Sequence, residues 1–229
     1  MTEIITRRSD EEIAARNLWI QTMSKGTFNL STPRLSRFCL LDVIVGLART
    51  KRFMGQTKAG ADFTIPSYSV LQHCDLVMQI VKATRPDLFE KHGLLLLQYA
   101  FLHDGHEAPL GDQNSQFKKL LEMWGVLHLL RALAREFDAI IHEMVGLPWP
   151  IDPEIAAAIK KADLIALATE RAQLMPHMEW EEKVEDPFPM DIVPLGEHDA
   201  IRFGMAQAQK LGFDLMARNQ PYQPMPLAA

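Results

Sequence analysis

Cysteine is almost missing from this 229-residue chain, which has only Cys39 and Cys74. Two thiols make neither a disulfide framework nor a Cys-based zinc site, so both are expected as buried thiols. Long apolar runs are scarce as well. The longest, GLLLLQYAFL, is about half of what a membrane span needs. The N-terminal MTEIITRRSDEEIAARN has no apolar core of the signal-peptide type. These absences predict a cytoplasmic location and no membrane partner. Positive charge is not in excess either. The net charge of −5 argues against duplex nucleic acid as a partner. A small anionic ligand stays open, because the field inside a cleft need not follow net charge.

Strand signals are few, there is no internal repeat, and strand and helix patterns do not alternate. What is present is helical. SDEEIAARNLWIQTMSKG carries a capping box at Ser9 and Glu12 and predicts a helix up to Gly26. In SRFCLLDVIVGLART, residues Phe38, Leu41, Val45 and Ala48 share a helical face. The Gly-rich, basic stretch from Lys51 to Pro66 reads as a loop. Further helices are expected over SYSVLQHCDLVMQIVKAT, over 87–103 with an interruption at Gly93, and over a long stretch or helix pair ending at Gly146. One more begins at Asp152 with Pro153 in its first turn. Residues 176–195 read as an irregular loop, and a last helix spans about 197–217 before a Pro-rich, mobile tail. The expected fold is all-α: a single helical bundle with irregular loops. Its parts are an N-terminal helix and connection (1–34), a main domain (35–175), and a loop, helix and tail packing on it (176–229).

Four residues have the character of ligands for a divalent metal: His73, His103, Asp104 and Asp163. Each lies in an apolar helical context where a ring nitrogen or a carboxylate needs a partner. Two imidazoles and two carboxylates form a mixed N/O set suited to transition metals such as Mn²⁺, Co²⁺ or Zn²⁺. Taken singly, each has a plainer reading. His73 fits a core histidine, and Asp163 fits an ion pair with Lys160 or Lys161.

The spacing resembles that of the HD-domain phosphohydrolase superfamily: a His, then His-Asp about thirty residues on, then Asp about sixty further. It is most similar to the bacterial 5′-deoxynucleotidases and their phage-encoded relatives, among them the dATP triphosphohydrolases of 2-aminoadenine phages. Their H-D-x-x-E-x-x-x-x-D pattern is matched by His103, Asp104, Glu107 and Asp112, with Lys118 six residues later. Ser69, Val70 and His73 match the family's S-V-x-x-H, and KKADLIALATER resembles its K-x-A-D helix. GLPWP and the pair Arg52-Phe53 also look like the phage relatives. The likeness covers roughly 35–175. The chain departs from the pattern in the long loop between Arg52 and His73 and in QNSQF after Asp112.

The resemblance implies an HD-type bundle and hydrolysis at the α-phosphorus of a deoxynucleotide. A dNTP would release triphosphate, and a dNMP would release phosphate. It implies His73, His103, Asp104 and Asp163 as metal ligands, with additional Mg²⁺ when the substrate is a triphosphate. It implies Glu107 as general base, Asp112 as partner of the sugar 3′-hydroxyl, and Arg52 and Lys118 as phosphate clamps. Asp112 could instead cap the following helix, and Glu107 could be a solvated helix-end residue. His106 lies outside the family pattern and reads as solvated. A phage origin would place the protein in host cytoplasm, and homo-oligomerisation stays open. Two other readings stand beside this one. One is a signalling-nucleotide phosphohydrolase, although the Gly-Tyr-Pro extension of cyclic-dinucleotide enzymes is absent. The other is a non-catalytic helical nucleotide-binding module.

Overall fold

The computed structural model describes residues 9–179 and 185–219, which form ten helices and one short hairpin. Helix α1 (Asp10–Ala15) opens on the expected capping box: the Ser9 N–H donates to the Glu12 carboxylate and the Glu12 N–H to Ser9 Oγ. It does not run to Gly26. Asn17 takes a left-handed angle (φ 47°), which Asn tolerates better than most side chains, and the chain leaves the helix there. Trp19–Gln21 (β1) then pairs antiparallel with Thr27–Asn29 (β2). The aromatic and β-branched residues here follow their strand preference rather than the helical period. Asp42 holds the hairpin turn, accepting from the Ser24 N–H at 2.9 Å and the Ser24 hydroxyl at 2.6 Å.

The remaining helices are α2 (Leu40–Arg49), α3 (Val70–Thr84), α4 (Pro86–His92), α5 (Leu94–Leu102), α6 (Glu107–Leu110), α7 (Ser115–Met123), α8 (Leu127–Met144), α9 (Pro153–Leu174) and α10 (Glu197–Lys210). The all-α expectation holds. Gly93 separates α4 from α5 at φ 57°, as the sequence predicts, and Gly125 (φ 72°) divides the long helical stretch into α7 and α8. Asp152 caps α9 by accepting from the N–H groups of Glu154 and Ile155, with Pro153 as its first residue. Helix α10 stops at Lys210, short of the expected end. The chain turns at Gly212 (φ 81°) and runs back along the start of α2. There the carbonyls of Ala217 and Leu215 accept from the N–H groups of Leu40 and Leu41, and Asn219 Oδ1 accepts from the Phe38 N–H. Those bonds satisfy donors that the first turn of a helix would otherwise leave unpaired. The Pro-rich tail beyond 219 and residues 180–184 of the acidic loop lie outside the described residues. Residues 176–179 and 185–195 are irregular, as expected.

Helix α3 is the central element. Its residues from Val70 to Met78 are all buried, as are Ile80 and Val81, with α2, α5, α9 and α10 packed around it. A helix buried on every face needs its polar residues matched, and His73 and Asp75 are both such cases. Among the described residues, no helix is long and apolar enough to cross a membrane. Both cysteines are free and buried, as expected.

The approach of α2 to α6 is set by a glycine. A Cβ on Gly46 would lie 2.8 Å from the Cβ of Ala108 and 3.1 Å from its Cα, atoms with no rotamer through which to yield. Gly46→Ala should therefore destabilise the protein by about 1–3 kcal/mol, the usual cost of overpacking. Urea or thermal unfolding measures this, and an unchanged midpoint would mean that α6 does not seat on α2.

Candidate metal centre

Each candidate residue arrives from a different element. His73 lies in the first turn of α3, whose N-cap Ser69 accepts from the Gln72 N–H. The apolar helix α5 ends at His103, the turn to α6 carries Asp104, and Glu107 is the first residue of α6. Asp163 lies on α9. The apolar run that precedes the His-Asp pair is thus a core helix that carries the pair to the centre of the bundle.

The structure brings the four expected ligands together. His73 Nε2 lies 3.2 Å from Asp163 Oδ1 and 3.5 Å from Asp104 Oδ2, and His103 Nε2 lies 3.2 Å from Asp104 Oδ2. The two imidazole rings are 5.3 Å apart. Although buried, neither Nε2 has a hydrogen-bond partner. Both Nδ1 atoms are engaged: His103 Nδ1 bonds the Ala100 carbonyl at 2.8 Å and His73 Nδ1 bonds Glu170 Oε1 at 2.6 Å. Two orphaned imidazole nitrogens facing two carboxylates at the heart of a bundle fit a divalent cation well. One ligand atom from each of His73, His103 and Asp163 falls within 4.8 Å of the others, a spread that one ion spans. Asp163 also accepts from Lys160 Nζ at 2.7 Å, so the ion-pair reading is realised alongside the ligand one.

The electrostatics agree. Burial opposes the charged form of His103, yet the adjacent Asp104 holds the imidazole well above its ordinary value. His73 is raised likewise: burial and Arg52 oppose its charge, and Glu170 and Asp163 favour it. Burial also works against ionised Asp104 and Asp163, but their histidine partners keep both carboxyls below the usual range. Without a cation, protons on the imidazoles balance the carboxylates.

Glu107 is 3% exposed, and its Oε2 has no partner. Burial, with Asp104 and Asp112 nearby, pushes its carboxyl up to about 9. It is not the solvated helix-end residue that the sequence left open. Asp112 follows Gly111 (φ 77°) and lies 3.5 Å from Arg52 Nη1. It does not cap α7, because Asn114 accepts from the Phe117 N–H and takes that role. Arg52 reaches Glu170 as well, at 3.2 Å, under the ring of Phe53 at 5.6 Å. Burial disfavours its charge, but Glu170 and Asp112 raise it. Phe53 and Met54 both adopt left-handed angles (φ 52° and 54°), so the turn that carries Arg52 holds local strain. Lys118 is half-buried on α7, with its charge felt at Glu107 and His106.

His106 corrects the solvated reading. Its Nδ1 bonds Asp138 Oδ1 at 3.0 Å and its backbone N–H donates to the same oxygen. A cavity of about 240 Å³ opens beside the cluster, walled in part by Asp138, His142, Trp149 and Ile159. Sequence reasoning also missed Glu170, Asp138 and His142. Glu170 had a signal: it lies seven residues after Asp163, two turns along the same face of α9.

Metal binding here must displace protons from His73 and His103, so affinity should rise with pH. Stoichiometric Mn²⁺, Co²⁺ or Zn²⁺ should raise the unfolding temperature, more at pH 8 than at pH 6. Asp163→Ala should abolish the rise. Full metal retention in that variant would remove Asp163 from the ligand set.

No protein-family model matches the chain. The chain is similar to an uncharacterized protein of Rhodobacter capsulatus, 29% identical over 159 residues, or 69% of this chain and 74% of that protein. It is also similar to the uncharacterized protein YfdR of Escherichia coli K12, 31% identical over 156 residues, or 68% of this chain and 72% of YfdR. With that identity across most of both proteins, the chain belongs to the same family as YfdR.

Proposed function

We propose that the chain is a metal-dependent phosphohydrolase that attacks the α-phosphorus of a deoxynucleotide and releases the deoxynucleoside. A dNTP would give triphosphate and a dNMP would give phosphate. The observation that carries this reading is the meeting of His73, His103, Asp104 and Asp163, both Nε2 atoms unpaired, beside the buried carboxyl of Glu107. A divalent transition cation held by the four ligands supplies Lewis-acid polarisation of the phosphoryl group and a water of lowered pKa. With a triphosphate, additional Mg²⁺ would supply positive charge to the phosphates.

The chain's own residues do the rest. Glu107, three residues after Asp104, orients the attacking water and takes its proton. A cation at the neighbouring ligands would oppose the burial and the nearby carboxylates that push the Glu107 carboxyl up, and so favour its ionised form. Arg52 presents a planar fork to phosphate oxygens, and half-buried Lys118 adds a point charge. For Arg52 to grip substrate, its long contact with Asp112 is the one to yield, since Glu170 holds it from the other side. Asp112 is then free to accept from the 3′-hydroxyl.

A product screen of dNMPs and dNTPs with Mn²⁺, Co²⁺ and Mg²⁺, resolving phosphate from triphosphate, tests the reading. Release of a deoxynucleoside supports it, and no turnover on any of them removes it. Glu107→Gln should keep the metal and lose about 10²–10⁴-fold in kcat. An unchanged kcat would take the proton transfer away from Glu107.

Asp112→Ala should spare the metal and weaken selection for the sugar. Losing the hydrogen bond from the 3′-hydroxyl to Asp112 should cost about 1–3 kcal/mol in kcat/KM. Comparing deoxy-, ribo- and dideoxynucleotides measures this. Equal wild-type turnover of deoxy and dideoxy substrates would leave Asp112 as a partner of Arg52 alone.

A further inference from the structure

Beyond holding Arg52, Glu170 has no task in the chemistry above, yet among the described residues no other carboxylate is so fully buried, at 0% exposure. Its two oxygens are divided between two partners. Oε1 bonds His73 Nδ1 at 2.6 Å, while Oε2 accepts from Nε and Nη2 of Arg52 at 3.3 and 3.2 Å. A carboxylate can only accept, so the shared proton belongs to Nδ1, and Nε2, facing Asp163 and Asp104, is the atom that gives up its proton to a cation. The other imidazole, His103, has only a backbone carbonyl behind it.

We propose that Glu170 is a positioning residue: it fixes His73 in the tautomer that offers Nε2 to a cation and holds Arg52 in register with the same centre. The proposal rests on the metal-dependent reading above. Arg52 makes the assignment specific. With both oxygens occupied, Glu170 is not itself a ligand, and its charge is shared with a guanidinium instead of competing for the metal. A carboxylate behind a metal-binding imidazole also raises the basicity of the ligand, and losing such a partner typically weakens metal binding about 10–100-fold.

Glu170→Gln is the diagnostic substitution, because it keeps the shape and removes one acceptor. Arg52 can only donate, so it takes the single amide oxygen. The amide N–H₂ then faces His73 Nδ1, where only a lone pair satisfies it. The proton moves to Nε2, the atom meant for the metal. A reversed tautomer of this kind disables a site whose geometry is otherwise intact.

The experiment titrates Mn²⁺ and Co²⁺ into wild type, Glu170→Gln and Glu170→Ala by calorimetry, with unfolding of each protein measured in chelator. The expected result is a roughly 10–100-fold weaker metal Kd in Glu170→Gln, at least as large as in Glu170→Ala. The metal-free unfolding temperature of the Gln variant should stay within ~4 °C of wild type. Imidazole ¹⁵N shifts of the metal-free Gln variant at alkaline pH should place the proton on Nε2. A merely structural Glu170 would lower the unfolding temperature and leave Kd alone, which overturns the proposal, as does a wild-type Kd in the Gln variant should the Ala variant not fold. If wild type itself binds no metal, the metal-dependent reading falls and takes this proposal with it. If wild type binds and Glu170→Gln binds equally well, only the role of Glu170 falls.

Discussion

Carboxylates outnumber the cations that face them in the interior of this bundle. Asp104, Asp112, Asp163, Glu107 and Glu170 converge there, while Arg52 is the guanidinium among them and Lys118 and Lys160 approach from the rim. Stripped of water, such a group disperses or protonates unless positive charge is supplied. Here it half-protonates: the imidazoles gain protons and Glu107 keeps its own. The surrounding architecture then becomes intelligible. The buried N-terminal half of α3 brings His73 in from one side, an apolar α5 delivers His103 and Asp104 from another, and α9 lays Asp163 and Glu170 along a third.

The Arg52 turn belongs to the same arrangement through its backbone. The Arg52 N–H donates to the Tyr68 carbonyl and the Val70 N–H to the Thr50 carbonyl, so the two ends of the 51–69 excursion are stitched together at the N-terminus of α3. The guanidinium is thereby registered against His73 by main chain as well as by the shared Glu170. The length of the intervening loop matters little to that registration, because closure cost grows only slowly with loop length.

Much of this was legible in the residues. Helix breaks at Gly93 and the Asp152-Pro153 start follow from local chemistry, left-handed tolerance and capping, while the joint expectation for His73, His103, Asp104 and Asp163 rests on the spacing that carries the family resemblance. The failures are equally physical. The first helix is expected to reach Gly26, but the Asn17 turn and the hold of Asp42 on Ser24 select a hairpin, and that hold is not local in sequence. The alternative of Asp112 as a helix cap gives way, because Asn114 caps α7. His106 looked solvated because Asp138, its partner, lies 32 residues away. Glu170 shows the limit from the other side. Its spacing from Asp163 is visible, but its value depends on two partners drawn from distant segments.

The segment from Leu215 to Asn219 has a bearing on how the protein is made. Because α2 receives its first backbone acceptors from Leu215 and Ala217, some 175 residues downstream, its amino end has no such partners while the chain emerges from the ribosome. Helix α2 is the floor on which α6 sits, so the support beneath Glu107 is completed by residues synthesised after every candidate ligand.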